Sequence, residues 1–177
     1  MNVTPSGEIA LAMEYLRQSV AASATFQAWA GAINAAAAVS HVHIVALPMP
    51  SDLEVGYTLE EMQSYRPYVL IGTENRRGFR MDSDSYDGYR PSGALTLWLE
   101  ADVSESYASW LADPEVDFLN KLGVMLAEMW LLRNTAGYLQ VRNIALSEGP
   151  YRSEEDVRPM YGDTMAAELR VEWGATE

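Results

Sequence analysis

Hydrophobic residues recur along this chain with two different periods, and the periods predict where its helices and strands lie. Near the N-terminus, Ile9, Met13, Leu16 and Val20 are spaced as on one face of a helix. Ser6 stands where an N-cap would precede them. The pattern therefore predicts a first helix that begins after Ser6 and buries one apolar face.

A shorter helix and a first strand are predicted to follow. The helix would hold Phe26 and Trp29 and end at Gly31, because glycine often follows the last helical residue. Side chains over His41–Leu47 alternate between two faces, which is the period of a strand. Pro48 closes this run, since proline cannot continue the hydrogen-bond ladder.

The longest helix is predicted to begin at Pro114. Asp113 can cap it, proline suits the first helical position, and Gly137 lies beyond its end. The helix is therefore predicted to hold the sheet, with an apolar stripe facing inward. That stripe consists of Phe118, Leu122, Met125, Met129 and Leu132.

Further apolar runs predict the other strands, and polar runs predict the loops between them. The strands are Tyr68–Gly72, Gly78–Met81, Ala94–Ala101, Tyr138–Leu146 and Met165–Trp173. The loops are Ser51–Arg66, Asp82–Ser92 and Ser147–Gly162. Within the first loop, Thr58 and Glu61 fit a capping box and predict one short helical turn.

Alternation assigns faces within three of these strands. Leu95, Leu97 and Leu99 would share one face, as would Leu169, Val171 and Trp173 in the last strand. Leu139, Val141 and Asn143 would likewise lie opposite Gln140, Arg142 and Ile144. Because short loops join consecutive strands, antiparallel pairing is favoured. The chain is thus predicted to form one α+β domain over residues 1–177, with the N-terminal and long helices on one face of an antiparallel or mixed sheet.

The net charge limits the classes of partner that this chain can bind directly. Asp and Glu number 25 against 12 Lys and Arg, which gives a formal net charge of −13. Such a chain is disfavoured as a direct ligand of nucleic acid or anionic lipid, since both attract Lys and Arg. It contains no cysteine, so no disulfide can stabilise it.

One segment departs from this acidic composition. Gln18–Ser51 contains no charged residue, but it is rich in alanine and is interrupted by Gly31 and Asn34, which argues against a membrane span. The segment is predicted to be buried within the subunit core or against a neighbouring subunit. The candidate interface residues are Phe26, Trp29, Ala32 and Ala36. Residues Met1–Gly7 carry no positive side chain, so no targeting segment is expected.

Two groups of residues resemble metal sites without completing one. His41 and His43 are two residues apart and would share a strand face, but no third ligand is marked. The loop that begins at Asp82 departs from a calcium-binding loop at its fifth, sixth and twelfth positions. No metal and no cofactor is predicted. Since no nucleophile elbow or phosphate-binding glycine loop is found in the sequence either, the chain is not expected to be an enzyme.

A succession of segments nevertheless resembles a known family. The segments are Phe26–Trp29 after an N-terminal helix, Arg66–Ile71, Gly93–Glu100, the long helix from Asp113, Leu139–Ile144 and Leu169–Gly174. Together they resemble the tail-terminator and tail-completion proteins of long-tailed bacteriophages.

The resemblance implies a virion protein that is assembled in the host cytoplasm and forms a ring, usually of six copies. Such a ring caps the tail tube protein, meets the head connector and other neck proteins, and lets genomic DNA pass through its lumen without specific binding. Six copies of −13 would total about −78, and an acidic lumen would repel phosphate. The candidate lumen or tube-contact residues are Asp82, Asp84, Asp87, Glu154, Glu155 and Asp156.

Other functions remain open at this stage. A different head–tail connector or neck protein would share the same composition. An acidic DNA mimic would place its carboxylates in phosphate-like rows along one surface, and a small-molecule enzyme would need carboxylates paired in an apolar pocket. The size of the particle in solution separates a ring from a monomer or dimer.

Overall fold

The structure is a computed structural model that describes residues 7–73, 80–82, 90–103, 113–132, 139–152 and 164–175. Its helices are α1 (Glu8–Ala22), α2 (Ala24–Trp29), α3 (Ala35–Ala38), α4 (Leu59–Tyr65) and α5 (Pro114–Leu132), and a 3₁₀ turn spans Val39–His41. Its strands are β1 (Val42–Ile44), β2 (Tyr68–Thr73), β3 (Arg80–Asp82), β4 (Arg90–Asp102), β5 (Leu139–Arg152) and β6 (Thr164–Ala175). The predicted α+β class is confirmed.

The strands form one mixed sheet in the order β1-β2-β4-β6-β5, with β3 paired to the start of β4. Only the β1–β2 pair is parallel among the pairs that the structure describes. The register between β4 and β6 places Leu97 opposite Leu169 and Trp98 opposite Glu168. Alternate residues of these central strands therefore face opposite sides of the sheet.

Helices α1 and α5 cover one face of this sheet, as predicted. The buried core joins the apolar faces of both helices to every second residue of β2, β4 and β6. Its α5 members are Phe118, Leu122, Met125 and Met129, and its strand members include Val69, Ile71, Leu95, Leu97, Leu99, Leu169, Val171 and Trp173. This face is held by apolar burial, which is non-directional and scales with the area removed from water.

The helix starts confirm one predicted cap and correct another. The Asp113 carboxylate accepts the backbone N–H groups of Glu115 at 3.0 Å and Val116 at 3.3 Å, as expected for a cap ahead of Pro114. Helix α1 is instead preceded by Gly7, whose lack of a side chain leaves no side-chain cap. The predicted cap Ser6 and the predicted end of α5 at Gly137 lie outside the described residues.

The strand β1 is shorter than predicted. It ends at Ile44 and not at Leu47, because Val45 has a φ of +70°. The N–H of Ala46 bonds back to the carbonyl of Ile44 at 2.9 Å, which closes a tight turn of the rare γ type. A β-branched residue at positive φ is strained, and this turn ends the strand.

Two strands are longer than predicted. β4 begins at Arg90 and β5 continues to Arg152, so both predicted loops that flank them are partly strand. The register of β5 against β6 shifts between Val141 and Asn143. This bulge turns Ile144 toward the core and removes Asn143 from it, which reverses the faces predicted for these two residues.

Candidate assembly surfaces

Helix α5 exposes an uncharged outer face, which we call the α5 surface. It consists of Asn120, Gly123, Val124, Ala127 and Leu131, all exposed. The side chain of Val124 is 51% exposed and that of Leu131 is 77% exposed. This exposed helix face carries apolar side chains and no charge, which makes it a candidate contact surface.

The single charged residue between Lys121 and Leu132 is turned away from the α5 surface. The Glu128 carboxylate accepts the Ser23 hydroxyl at 2.5 Å, and it accepts both the backbone N–H and the hydroxyl of Thr25 at 3.1 Å. Burial raises the pKa of Glu128, but these hydrogen bonds outweigh burial and hold its pKa below the ordinary value. The carboxylate thus stabilises the start of α2 and leaves the α5 surface free of charge.

The four predicted interface residues occupy different environments. Phe26 is fully buried in the subunit core, so it is not available to a neighbouring copy. Trp29 is half-buried, with its ring 5.4 Å from that of Phe118 and the Lys121 ammonium 5.4 Å from its centroid. Ala32 is partly buried and Ala36 is exposed. The uncharged segment Gln18–Ser51 is therefore buried only in part.

A second exposed apolar surface follows β1, and we call it the apolar arm. It spans residues 45–57, where Val45, Met49, Leu53 and Val55 are each at least 70% exposed. Sequence reasoning missed it by treating these residues as part of a buried segment or a polar loop. The signal available was the presence of Met49, Leu53 and Val55 among polar residues between Pro48 and Gly56.

Hydrogen bonds hold the apolar arm in place although its apolar side chains face outward. The Tyr57 hydroxyl donates to the Pro48 carbonyl at 2.9 Å, and the Ser51 N–H donates to Glu61 at 2.8 Å. The Asp52 carboxylate accepts the backbone N–H groups of Glu54 at 2.9 Å and Val55 at 3.3 Å. These contacts fix the backbone, so the arm presents its apolar side chains as a preformed surface.

The face of the sheet opposite α1 and α5, called the second face here, carries a buried polar cluster. The Arg66 side chain is fully buried, with Nη2 2.9 Å from Glu100 Oε1 and Nη1 2.9 Å from Asp102 Oδ1. The Tyr68 hydroxyl donates to Glu100 Oε2 at 2.8 Å. Burial, and then the Glu100 charge, raise the pKa of Tyr68. The pairing of β2 with β4 brings together Arg66 and Glu100, which are 34 positions apart in the sequence.

The two histidines do not share a strand face, which corrects the prediction. His41 lies in the 3₁₀ turn, with Nδ1 3.1 Å from the Tyr65 carbonyl and 3.0 Å from that of Pro67. His43 lies in β1 beside the rings of Tyr65 and Tyr68. Burial, and then the nearby His41, lower the pKa of His43. Within the described ranges, no three His, Cys, Asp or Glu residues are grouped so that they could hold a metal ion.

The predicted acidic loops receive little structural description. Asp82 lies in β3 with its backbone paired to that of Arg90. Asp84, Asp87 and Glu154–Asp156 lie outside the described residues, so their role in a lumen or a tube contact stays a prediction.

Comparisons with known proteins add no family to these observations. In the part of the chain that the structure describes, no helix combines the length and the apolar composition needed to cross a membrane. No protein-family model matches the chain, and no curated protein is significantly similar to it.

Proposed function

We propose that this chain is the ring-forming subunit of a bacteriophage tail terminator, which caps the tail tube and joins the tail to the head connector. The observation that carries the proposal is the presence of exposed apolar surface, including an uncharged helix face on α5, on a subunit of net charge −13. Subunits of that charge repel one another through most of their surface. They can approach closely only where charge is absent and apolar area is available to bury.

The charge distribution suits a subunit that builds a DNA channel. In the proposed ring, uncharged surfaces would be used between copies, and the carboxylates would remain for the lumen and for the faces toward the tube and the connector. Phosphate would gain no counterion release from an acidic wall, so DNA would slide without sticking. This is the role that the sequence resemblance implies.

The second face of the sheet argues against the alternative of a DNA mimic. Among the described residues, several of its carboxylates are paired with guanidinium groups. Arg170 pairs with Glu172, and Arg66 pairs with Glu100 and Asp102. A mimic of the phosphate backbone needs unpaired negative charge at regular intervals.

The proposal is tested first by the mass and shape of the purified protein. Light scattering should give a mass close to six times 19.6 kDa, and electron microscopy should show annular particles. The particles should not retain duplex DNA at low salt, where any basic channel would hold it most strongly. A monomer or dimer that inhibits a DNA-binding enzyme would overturn the proposal in favour of a mimic.

Labelling of virions separates a tail terminator from another neck component. Antibody against this chain should mark the layer that touches the last ring of the tail tube. Marking of a layer within the head would contradict the tail-terminator assignment and leave a connector role.

A further inference from the structure

The α5 surface and the apolar arm lie toward opposite edges of the sheet. The arm follows β1, the first strand in the sheet order, and α5 packs against β5, the last. Four interstrand spacings separate β1 from β5, which is about 19 Å at ~4.8 Å each. The two surfaces therefore cannot cover each other within one subunit.

Two different surfaces on opposite edges favour head-to-tail association. An isologous dimer joins one patch to the same patch on its partner, so it would cover one of these surfaces and leave the other exposed. A heterologous contact joins two different patches and covers both. When its rotation closes, such a contact produces a ring.

The charges of the two surfaces also favour contact between the apolar arm of one copy and the α5 surface of another. Contact between two arms would bring together Asp52 and Glu54 of both copies, and like charges repel in an interface. Contact between an arm and the α5 surface sets these carboxylates against a helix face without charge. The only basic residue of the described part of α5 is Lys121, which is also the only lysine of the chain.

We infer that the apolar arm of one copy packs on the α5 surface of the next copy. Met49, Leu53 and Val55 supply the apolar side chains, and Val124, Ala127 and Leu131 receive them. The strained turn at Val45 ends β1, so the arm does not continue the register of β1 along β2. The inference deepens the proposed ring by naming its repeating contact.

Engineered cysteines test the contact directly because the chain has no native cysteine. The double variant Met49→Cys plus Val124→Cys should form a ladder of disulfide-linked multimers under mild oxidation. Each single variant should stay monomeric on a denaturing gel, since a head-to-tail contact never brings two copies of one position together. Met49→Cys combined with Tyr151→Cys, an exposed position on the second face, is the control and should not cross-link. Efficient cross-linking of Val124→Cys alone would show an α5–α5 contact and overturn the inference.

A mixing experiment gives an independent test. Val55→Glu should disable the arm and Leu131→Glu should disable the α5 surface, so each variant alone should lose its multimers. Mixed in equal amounts, the two variants retain one intact arm and one intact α5 surface between them. The mixture should then form a heterodimer of about twice 19.6 kDa. A mixture that stays monomeric would overturn the pairing. A far-UV circular dichroism spectrum identical to that of the native chain would show that each variant is folded, which is expected because both positions are exposed.

The failure of this contact can be told apart from the failure of the ring. Native particles of ring mass that do not cross-link in the double-cysteine variant would reject the contact and keep the ring. A ladder that grows into open filaments, without a closed particle, would support the contact and reject the ring. A chain that stays monomeric at high concentration would reject both.

Discussion

The two faces of the central sheet are stabilised by different means, although they belong to the same strands. On the helix-covered face, Leu95, Leu97 and Leu99 are fully buried among apolar side chains. On the second face, the neighbouring position Glu100 is also buried, but it is held by an arginine, a tyrosine and a tryptophan. Burial alone therefore does not show which interactions stabilise a residue. The helix-covered face is stabilised by the packing of apolar side chains, and the second face by directed hydrogen bonds and ion pairs.

Removing the cation from the second face should give the largest effect. Arg66→Met would leave Glu100 buried without its counter-charge, and breaking a buried ion pair from one side costs about 3–5 kcal/mol. Urea unfolding of the variant measures the loss. Adding Glu100→Met should recover part of it, because the uncompensated carboxylate is then gone. A loss below ~1 kcal/mol for Arg66→Met would mean that the cluster is not a stabilising unit.

Truncating a side chain on the helix-covered face should cost a comparable or smaller amount, for a different reason. Leu122 is almost fully buried against the sheet, and Leu122→Ala should cost about 2–5 kcal/mol through lost apolar burial and a cavity. Ile33, an aliphatic residue that is 90% exposed and lies outside both proposed contact surfaces, is the matched control. Ile33→Ala should change the unfolding free energy by less than ~0.5 kcal/mol. Only a second substitution that refills the cavity should rescue Leu122→Ala. On the second face, by contrast, removing the partner carboxylate should be enough for partial rescue.

Local signals in the sequence predicted the helix-covered face well. The stripe of α5, the alternation of β4 and β6, and the cap at Asp113 each depend on residues close together in sequence. The structure confirms them except for Leu132, which is not part of the buried core. The Thr58–Glu61 capping box is confirmed for the same reason, although α4 runs to seven residues and not one turn. Each of these features depends on neighbours in sequence.

Features that depend on tertiary pairing could not be predicted in this way. The Arg66–Glu100 contact requires the β2–β4 pairing, and the bulge in β5 reversed the faces of Asn143 and Ile144 without any marker in the sequence. Phe26 was assigned to an interface because aromatic residues suit both interfaces and cores, and only its contacts within the fold separate the two. The γ turn at Val45 opposes the local propensity of valine, so no propensity argument could find it.

Directed hydrogen bonds also occur on the helix-covered side of the molecule, where the Glu128 carboxylate is the acceptor. Glu128→Ala would remove the acceptor of three hydrogen bonds at the start of α2, and loss of such a cap costs about 1 kcal/mol. Because the pKa of Glu128 is lowered by folding, its stabilisation is present above the ordinary pKa and is lost as pH falls through the folded-state value. Glu60→Ala, which removes an exposed carboxylate outside both proposed contact surfaces, is the control. An equal loss at pH 7 and at pH 2 would contradict the role of the ionised carboxylate.

The smallest expected effect on stability comes from Glu61, an exposed carboxylate in the first turn of α4. The N–H of Thr58, and then Ser51, donate to Glu61 and lower its pKa to about 2. A lowered folded-state pKa means that the contribution of Glu61 is complete above about 4.5 and is lost as pH falls toward about 2. Amide hydrogen exchange over α4 should therefore quicken between pH 4.5 and pH 2 beyond its intrinsic pH dependence, while amides of β4 keep their protection. Glu61→Gln retains an acceptor but has no titrating group, so it should abolish this step. If α4 and β4 lose protection together, the capping box does not open independently of the sheet.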